Sequence, residues 1–585
     1  MIWPIAFSAV LSAQQNDWTL TYEKTNFAET GRYQEALDFC RRLDAASPNA
    51  TVLELGNSPE GRPMIMLVLS KDKNWKMGER KKPLVYLQNG IHSGEIEGKD
   101  ACLALAREII LPNREKPGMR ALLDKIDIAI LPVFSVDAHE RMTPYNRINQ
   151  NGPTEMGWRA TAQNFNLNRD YIKADSLEMQ NLLNWVKDYD PDFMVDNHTT
   201  DGGDWQYALQ YDVPRYPTMD EGIRSLSQNF VDFAMPKMDV MGHLNCPYFG
   251  GFDQRNPSRG LTIGWFGPRY STGYFALRNT PSLLVETHVL KDYRTRWQAT
   301  YDLNQLVLEW CAANAEQLVK SRAEAGKAMG ETTDVSLGAR NTRDSEPFVF
   351  KGLVYDGYQS EVSGGEIPRW TREKIDIPTT IREKYEGTLE TRLPVAYLIP
   401  RAQIEVVSRL KLHGVKMTEV GVSNPTTIDL PVTKFSNVTF ATSPFEGRFQ
   451  PRFQSATDEG KVKVHPGDYL VDPHQPLGRL IMHMLEPSAT DSFVNWGLLN
   501  PIFEEKEYAE AYAMEPYAKK MLAEDPELKA EFEKKLAEDE EFAKSPGARL
   551  RWFYERSPYF DRWLNVYPVV PIYSRPVVDF LIRKN

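Results

Sequence analysis

Residues 83–110 read PLVYLQNGIHSGEIEGKDACLALAREII, an apolar run that breaks at a glycine-flanked polar turn and resumes as an apolar pattern at helical spacing. The run PLVYLQNG predicts a buried strand, and Glu97 to Ile110 a helix. The alternation continues downstream with strand IDIAILPVF (126–134), helix Ser176 to Tyr189, strand DFMVDNH (192–198), helix Met219 to Phe233, strand SLLVETHV (282–289) and helix Arg296 to Glu324. Upstream, residues 31–44 predict a helix, and TVLELG and PMIMLVLS, separated by NSPEGR, predict an antiparallel strand pair. Buried runs alternating with amphipathic helices imply an α/β domain built on a mixed, largely parallel sheet flanked by helices.

The texture changes near Ala325, where AGKAMGETTDVSLGARNTRDS reads as a polar linker. This divides the chain into a first domain over 16–330 and a C-terminal accessory domain over 331–585. The second part holds strand-like runs (FVFKGLVY, LPVAYLIP, KVKVHPGDYLV), a helix at Gln403 to Leu412 and a charged helical end from Glu504 to Glu555, an α+β composition ending in helices. At 585 residues the chain is too long for one ordinary core.

The formal net charge of -11 gives no global basic field, which argues against nucleic acid as the main partner. No stretch is long and apolar enough for a transmembrane anchor. Residues 2–13, IWPIAFSAVLSA, resemble a signal-peptide core ending in small residues, so residues 1–15 are expected to direct export to a periplasmic or extracellular site, although no basic residue precedes them. The four cysteines, Cys40, Cys102, Cys246 and Cys311, are widely spaced and read as buried small hydrophobes.

Chemistry concentrates where predicted strands end. In NGIHSGEIEG (89–98), His92 and Glu95 stand three residues apart in a turn that Gly90, Ser93 and Gly94 allow to bend tightly. Alone, such a pair is weak evidence and more often reads as a surface histidine and a solvated glutamate. DFMVDNHTTDGG (192–203) brings a second strand to an end at His198. Two imidazoles and one carboxylate form a zinc ligand set with a fourth position left for water. In PSLLVETHV (281–289), Glu286 interrupts a run that should be buried, and a general base beside the metal explains a buried carboxylate economically.

In this order the pieces resemble the carboxypeptidase A-like zinc metallocarboxypeptidases over roughly residues 20–325. LELGNSPEGRPMIMLVLS (53–70) is similar to the family's opening hairpin, and LPVFSVDAHE (131–140) to the strand that follows the HxxE pair. The resemblance implies one zinc per chain held by His92, Glu95 and His198, with Glu286 as catalytic glutamate. It assigns the grip on a substrate's terminal carboxylate to Asn168 and Arg169 in FNLNRDY, and polarisation of the carbonyl to Arg159 in MGWRAT, with Arg147 in YNRINQNG as competitor. The family tyrosine that closes over substrate falls in PRYSTGYFALRN, where Tyr274 is taken ahead of Tyr270. Two departures stand out. Asn166 occupies the place of an acidic residue that orients a zinc-bound histidine, and the last 250 or so residues do not resemble the family's small accessory domain.

The implied activity is zinc-assisted hydrolysis of C-terminal peptide bonds, with peptide or protein C-termini as substrates. Rivals are a zinc amidohydrolase of the aspartoacylase or desuccinylase kind, which the chain length disfavours, and a non-catalytic peptide- or envelope-binding protein, which Glu286 disfavours. Of the remaining histidines, His139, His243, His288, His413, His465, His474 and His483, His288 shares the strand face of Glu286 and is the reserve ligand.

Overall fold

The computed structural model describes residues 17–583 apart from 112–115, 117 and 201; the expected export signal at 1–15 lies outside the described residues. An eight-stranded sheet forms the centre of the first half. Its strands are β1 (Ala50–Asn57), β2 (Pro63–Leu69), β3 (Leu84–Asn89), β4 (Asp127–Leu131), β5 (Phe193–Thr200), β6 (Leu209–Asp212), β7 (Asn245–Pro247) and, later in the chain, Ser282–His288. With β8 (Phe249–Gly251) and β9 (Leu261–Ile263) in between, the last becomes β10, and the order is β1-β2-β4-β3-β5-β10-β6-β7. Strands β4, β3, β5 and β10 run parallel as neighbours. The hairpin β1–β2 and strand β6 are antiparallel additions on either side. The fold is thus the mixed, largely parallel α/β sheet expected.

The central strands are buried along their whole length, which is why their sequences read as continuous apolar runs rather than alternating ones. Helices Glu97–Ile110, Leu177–Tyr189, Glu221–Val240 and Tyr293–Ala313 flank the sheet. Ser176 caps the second by accepting from Met179 N, and Asp292 caps the fourth by accepting from Thr295 N. The helix expected over Arg296 to Glu324 is two, broken at Asn314. The helix expected to end at Phe233 runs on to Val240, through Pro236.

The stretch 325–345 is not a linker. It completes helix Ala315–Ala328 and then forms strand Asp334–Asn341, whose Val335 and Leu337 are buried at the two-residue period of a strand despite their polar neighbours. Beyond it lie two long hairpins. Strands Glu346–Gln359 and Glu366–Arg382 pair with each other, and the second also joins β9 at Ile381↔Leu261, so residues past 330 extend a sheet begun by β8 and β9. Strands Thr426–Phe440 and Pro451–Val464 form the other hairpin. Leu480, Ile481, Phe493 and Trp496 share one apolar core with Leu87, Val195 and Phe275, so the two halves are not separate bodies. The charged far end folds as helices around Phe532, Phe542, Trp552 and Phe553. All four cysteines are buried and free, and no helix of the described residues is long and apolar enough to cross a membrane.

Candidate metal centre

Three adjacent parallel strands, β3, β5 and β10, end side by side, and open α/β sheets place their sites at such carboxyl ends. The chain leaves β3 through Gly90, whose φ of +64 suits a residue without Cβ, and the turn then presents His92 and Glu95. Gly98 lets the following helix close on β5, since a Cβ there would lie 2.5 Å from that of Asn197. Ser93 fastens the turn by donating to Ser135 O at 2.6 Å.

Strand register does the rest. Glu286 pairs directly with His198 across β10 and β5, so both side chains leave the same face at the same level. His92 Nδ1 lies 3.1 Å from Glu95 Oε1, and His198 Nδ1 lies 2.8 Å from Glu95 Oε2. The donor atoms of His92, Glu95 and His198 all fall within 4.8 Å of one another, and all three residues are buried. The other nitrogen of each imidazole faces a side-chain oxygen. His92 Nε2 is 2.9 Å from Asn166 Oδ1, and His198 Nε2 is 2.8 Å from Asp196 Oδ2. The hydrogen bond to Asn166 fixes the His92 ring, while His198 is held through Nδ1 against Glu95 with its Nε2 beside Asp196 but not hydrogen-bonded to it; both rings thus present Nδ1 toward the shared point, and the donor set fits a zinc ion with an open position. Asp196, itself held by Gln88 Nε2 at 2.8 Å and Ser271 Oγ at 2.5 Å, was not anticipated from sequence. The signal was present: it precedes His198 by two in a buried strand, hence on the same face.

Burial is the largest single influence on His92, Glu95, His198 and Glu286, though not always the deciding one. It holds His92 below its ordinary pKa. It acts on His198 in the same direction, but Asp196, Glu95 and Glu286 outweigh it and raise that ring well above its ordinary value. For Glu95 burial is overcome by His92 and Arg147, which hold the carboxylate well below the usual range. Burial pushes Glu286 up to about 8, with Glu95 and Asp196 adding repulsion. A divalent cation at the shared point would draw every one of these groups toward its unprotonated form.

The ligands open onto a cavity of about 280 Å³, lined also by Arg159, Asn168, Arg169, Thr199, Thr200, Tyr248, Phe249, Phe266, Tyr270, Ser271, Thr272, Leu284 and Glu286. Asn168 has its Oδ1 pinned by Ser271 N at 3.2 Å. Arg169 stacks on Tyr270 at 4.4 Å and donates to Asn168 O, and among the described residues no carboxylate pairs with it. Arg159 lies 3.4 Å from Glu95 Oε1 with 46% of its side chain exposed.

Two expected residues are placed elsewhere. Arg147 approaches Glu95 Oε1 at 3.0 Å but is tucked behind it and does not line the cavity. Tyr274 is fully buried, with its hydroxyl 2.9 Å from His413 Nδ1; one helical turn separates it from Tyr270, which does face the cavity. The preference for Tyr274 is thereby corrected, because helix Ser271–Leu277 turns that ring into the core. His288 packs edge-on against Trp205 and is not in the cavity.

Residues 36–192 match the family model described as zinc carboxypeptidase, so the resemblance read from the motifs holds over this stretch. The match ends before His198 and Glu286, which the strand register ties to it. Carboxypeptidase 2 of Trichophyton rubrum is 24% identical over 481 residues, covering 79% of this chain and 82% of that protein. Mouse carboxypeptidase A4 is 30% identical over 96 residues, 16% of this chain and 22% of that protein. The solved metallo-carboxypeptidase from Burkholderia cenocepacia is 17% identical over 48% of this chain and 69% of its own, with a TM-score of 0.38.

Proposed function

We propose that this chain is a zinc-dependent carboxypeptidase that removes residues from the free carboxyl ends of peptides. The observation that carries the reading is the register Glu286↔His198, which sets a buried carboxylate beside a His–Glu–His cluster at the mouth of a polar cavity. His92, Glu95 and His198 would hold the metal. When bound, zinc supplies Lewis-acid polarisation of the scissile carbonyl and lowers the pKa of water.

Glu286 accepts the proton of the attacking water at its carboxylate and delivers it to the departing amine. Its burial raises the pKa, which makes it a stronger base than a solvated glutamate and a competent acid once protonated. Arg159, half-exposed at the cavity wall, has the reach to follow the negative charge that develops on the carbonyl oxygen. Arg169 is charged, two-pronged and without a carboxylate partner among the described residues, and with Asn168 beside it suits a terminal carboxylate. Tyr270, stacked on Arg169, is the tyrosine placed to cover a bound residue.

Paired peptides that differ only in a free or amidated C-terminus test the reading. The acid form should lose residues one at a time and the amide form should be spared; equal cleavage of both would remove the carboxylate anchor from the account.

A further inference from the structure

The segment 165–175 carries Asn166, Asn168 and Arg169, yet it contains no strand, and residues beyond 400 hold it from outside. Arg448 donates to Asp175 twice, Nε to Oδ2 at 2.9 Å and Nη2 to Oδ1 at 2.7 Å. Arg409 Nε donates to Lys173 O at 2.7 Å, and His413 Nε2 lies 2.9 Å from Ile172 O. Glu446 touches the site-bearing residues themselves: its Oε2 accepts from Asn166 N at 2.9 Å. Asn166 Oδ1 in turn faces His92 Nε2 at 2.9 Å and accepts from Asn168 N at 3.0 Å. One chain of contacts therefore runs from the hairpin Thr426–Phe440/Pro451–Val464 to a metal-position imidazole.

The choice of residue at the tip is itself informative. Glu446 and Gly447 have φ of +48 and +79 and close a tight turn in which Phe445 N donates to Arg448 O at 2.9 Å and Arg448 N to Phe445 O at 3.1 Å. Turns with two left-handed residues favour Asn, Asp or Gly at the first position, and a long side chain there is conformationally disfavoured. Glutamate at that position is accounted for by the distance its carboxylate must span to Asn166. The carboxylate is half-buried and lies within the electrostatic reach of Arg169.

We propose that the hairpin tip 445–448 is part of the support of the metal centre, with Glu446 a positioning residue that fixes Asn166 and, through it, the His92 ring and the Asn168–Arg169 pair. On this account the region after residue 400 belongs to the active site.

The inference rests on the carboxypeptidase reading, and its test separates the two. The full chain is stripped of metal and titrated with Co²⁺, following visible absorption in competition with a chelator, and KM and kcat are measured on a peptide with a free carboxyl end. Glu446→Asn suits the turn but is too short to reach Asn166, so it should keep the fold and weaken Co²⁺ binding about tenfold, with KM raised more than kcat is lowered. Glu446→Gln offers an oxygen to the same N–H and should stay within about threefold of wild type. In an Asn166→Ala background Glu446→Asn should add less than about twofold, because the two act in series. Wild-type affinity and KM in Glu446→Asn, equal losses in Glu446→Asn and Glu446→Gln, or losses that multiply in the double variant, would overturn the role of the hairpin alone. Failure of the wild type to bind Co²⁺ or release any residue would remove the carboxypeptidase reading and this inference with it.

Discussion

The metal position and the substrate side of the same cavity are built by different means. His198 and Glu286 stand on neighbouring strands whose register sets them level, and His92 and Glu95 leave the end of the next strand through a tight turn. Arg159 sits on a loop and Asn168 and Arg169 on the single 3-10 turn Leu167–Arg169, whose preceding residue Asn166 is touched by Glu446, 280 positions away. Precision at the first comes from sheet hydrogen bonds, which cost little to maintain once the core is buried. At the second it comes from individual long-range contacts, each of which one substitution can remove.

That difference predicts an ordering of effects. Glu286→Gln, isosteric and on the rigid side, should lower kcat by about 10³-fold while leaving zinc bound; single-turnover assays with metal analysis check it, and retained turnover would take the base away from Glu286. Arg169→Ala, on the loop side, should lower kcat/KM by about 10²-fold with most of the loss in KM, and a purely kcat effect would contradict an anchoring role. Asp196→Asn keeps the shape of β5 but removes the negative charge beside His198 Nε2, so zinc affinity should fall about tenfold.

The pH dependence of the reaction follows from Glu286. Glu286 must be ionised to act, and burial raises its pKa, so kcat/KM is lost as pH falls through a value above the ordinary 4.5 and no higher than about 8, the bound cation drawing it downward. An acid limb at 4.5 or below would contradict a pKa held up by burial. The smallest effect is on stability. His413, between Tyr274 and Ile172, has a folded pKa of about 3 against an ordinary 6.5, so the stability it contributes is present above 6.5 and lost as pH falls toward 3. At pH 5 that loss is about 2 kcal/mol. The drop in apparent Tm between pH 7 and pH 5 should accordingly be smaller in His413→Gln than in wild type; an equal drop would show that the ring is not buried neutral.

What was legible in sequence follows the same division. The strands bearing His198 and Glu286 announce themselves because polar residues at the end of a buried apolar run are costly and rare, and the helices because their caps and apolar spacing are local. Asn166 is placed behind a histidine only through the resemblance to the zinc carboxypeptidases, and the contact at 2.9 Å agrees with it. Tyr274 could not be separated from Tyr270, since only the phase of the short helix Ser271–Leu277 decides which ring faces the cavity. The strand at Asp334–Asn341 was hidden by polar composition, because its partner and the core that buries Val335 and Leu337 are tertiary. Glu446 carries no local signal, being one glutamate in an exposed turn whose meaning lies in Asn166.

The most direct test of the central claim is zinc content by elemental analysis in wild type and in His92→Ala, with release of terminal amino acids from a mixed panel of free-carboxyl peptides measured on the same samples. Wild type should hold one zinc per chain and release residues stepwise, with both lost in His92→Ala. A wild-type chain without zinc, or zinc and activity that survive in His92→Ala, would contradict the claim.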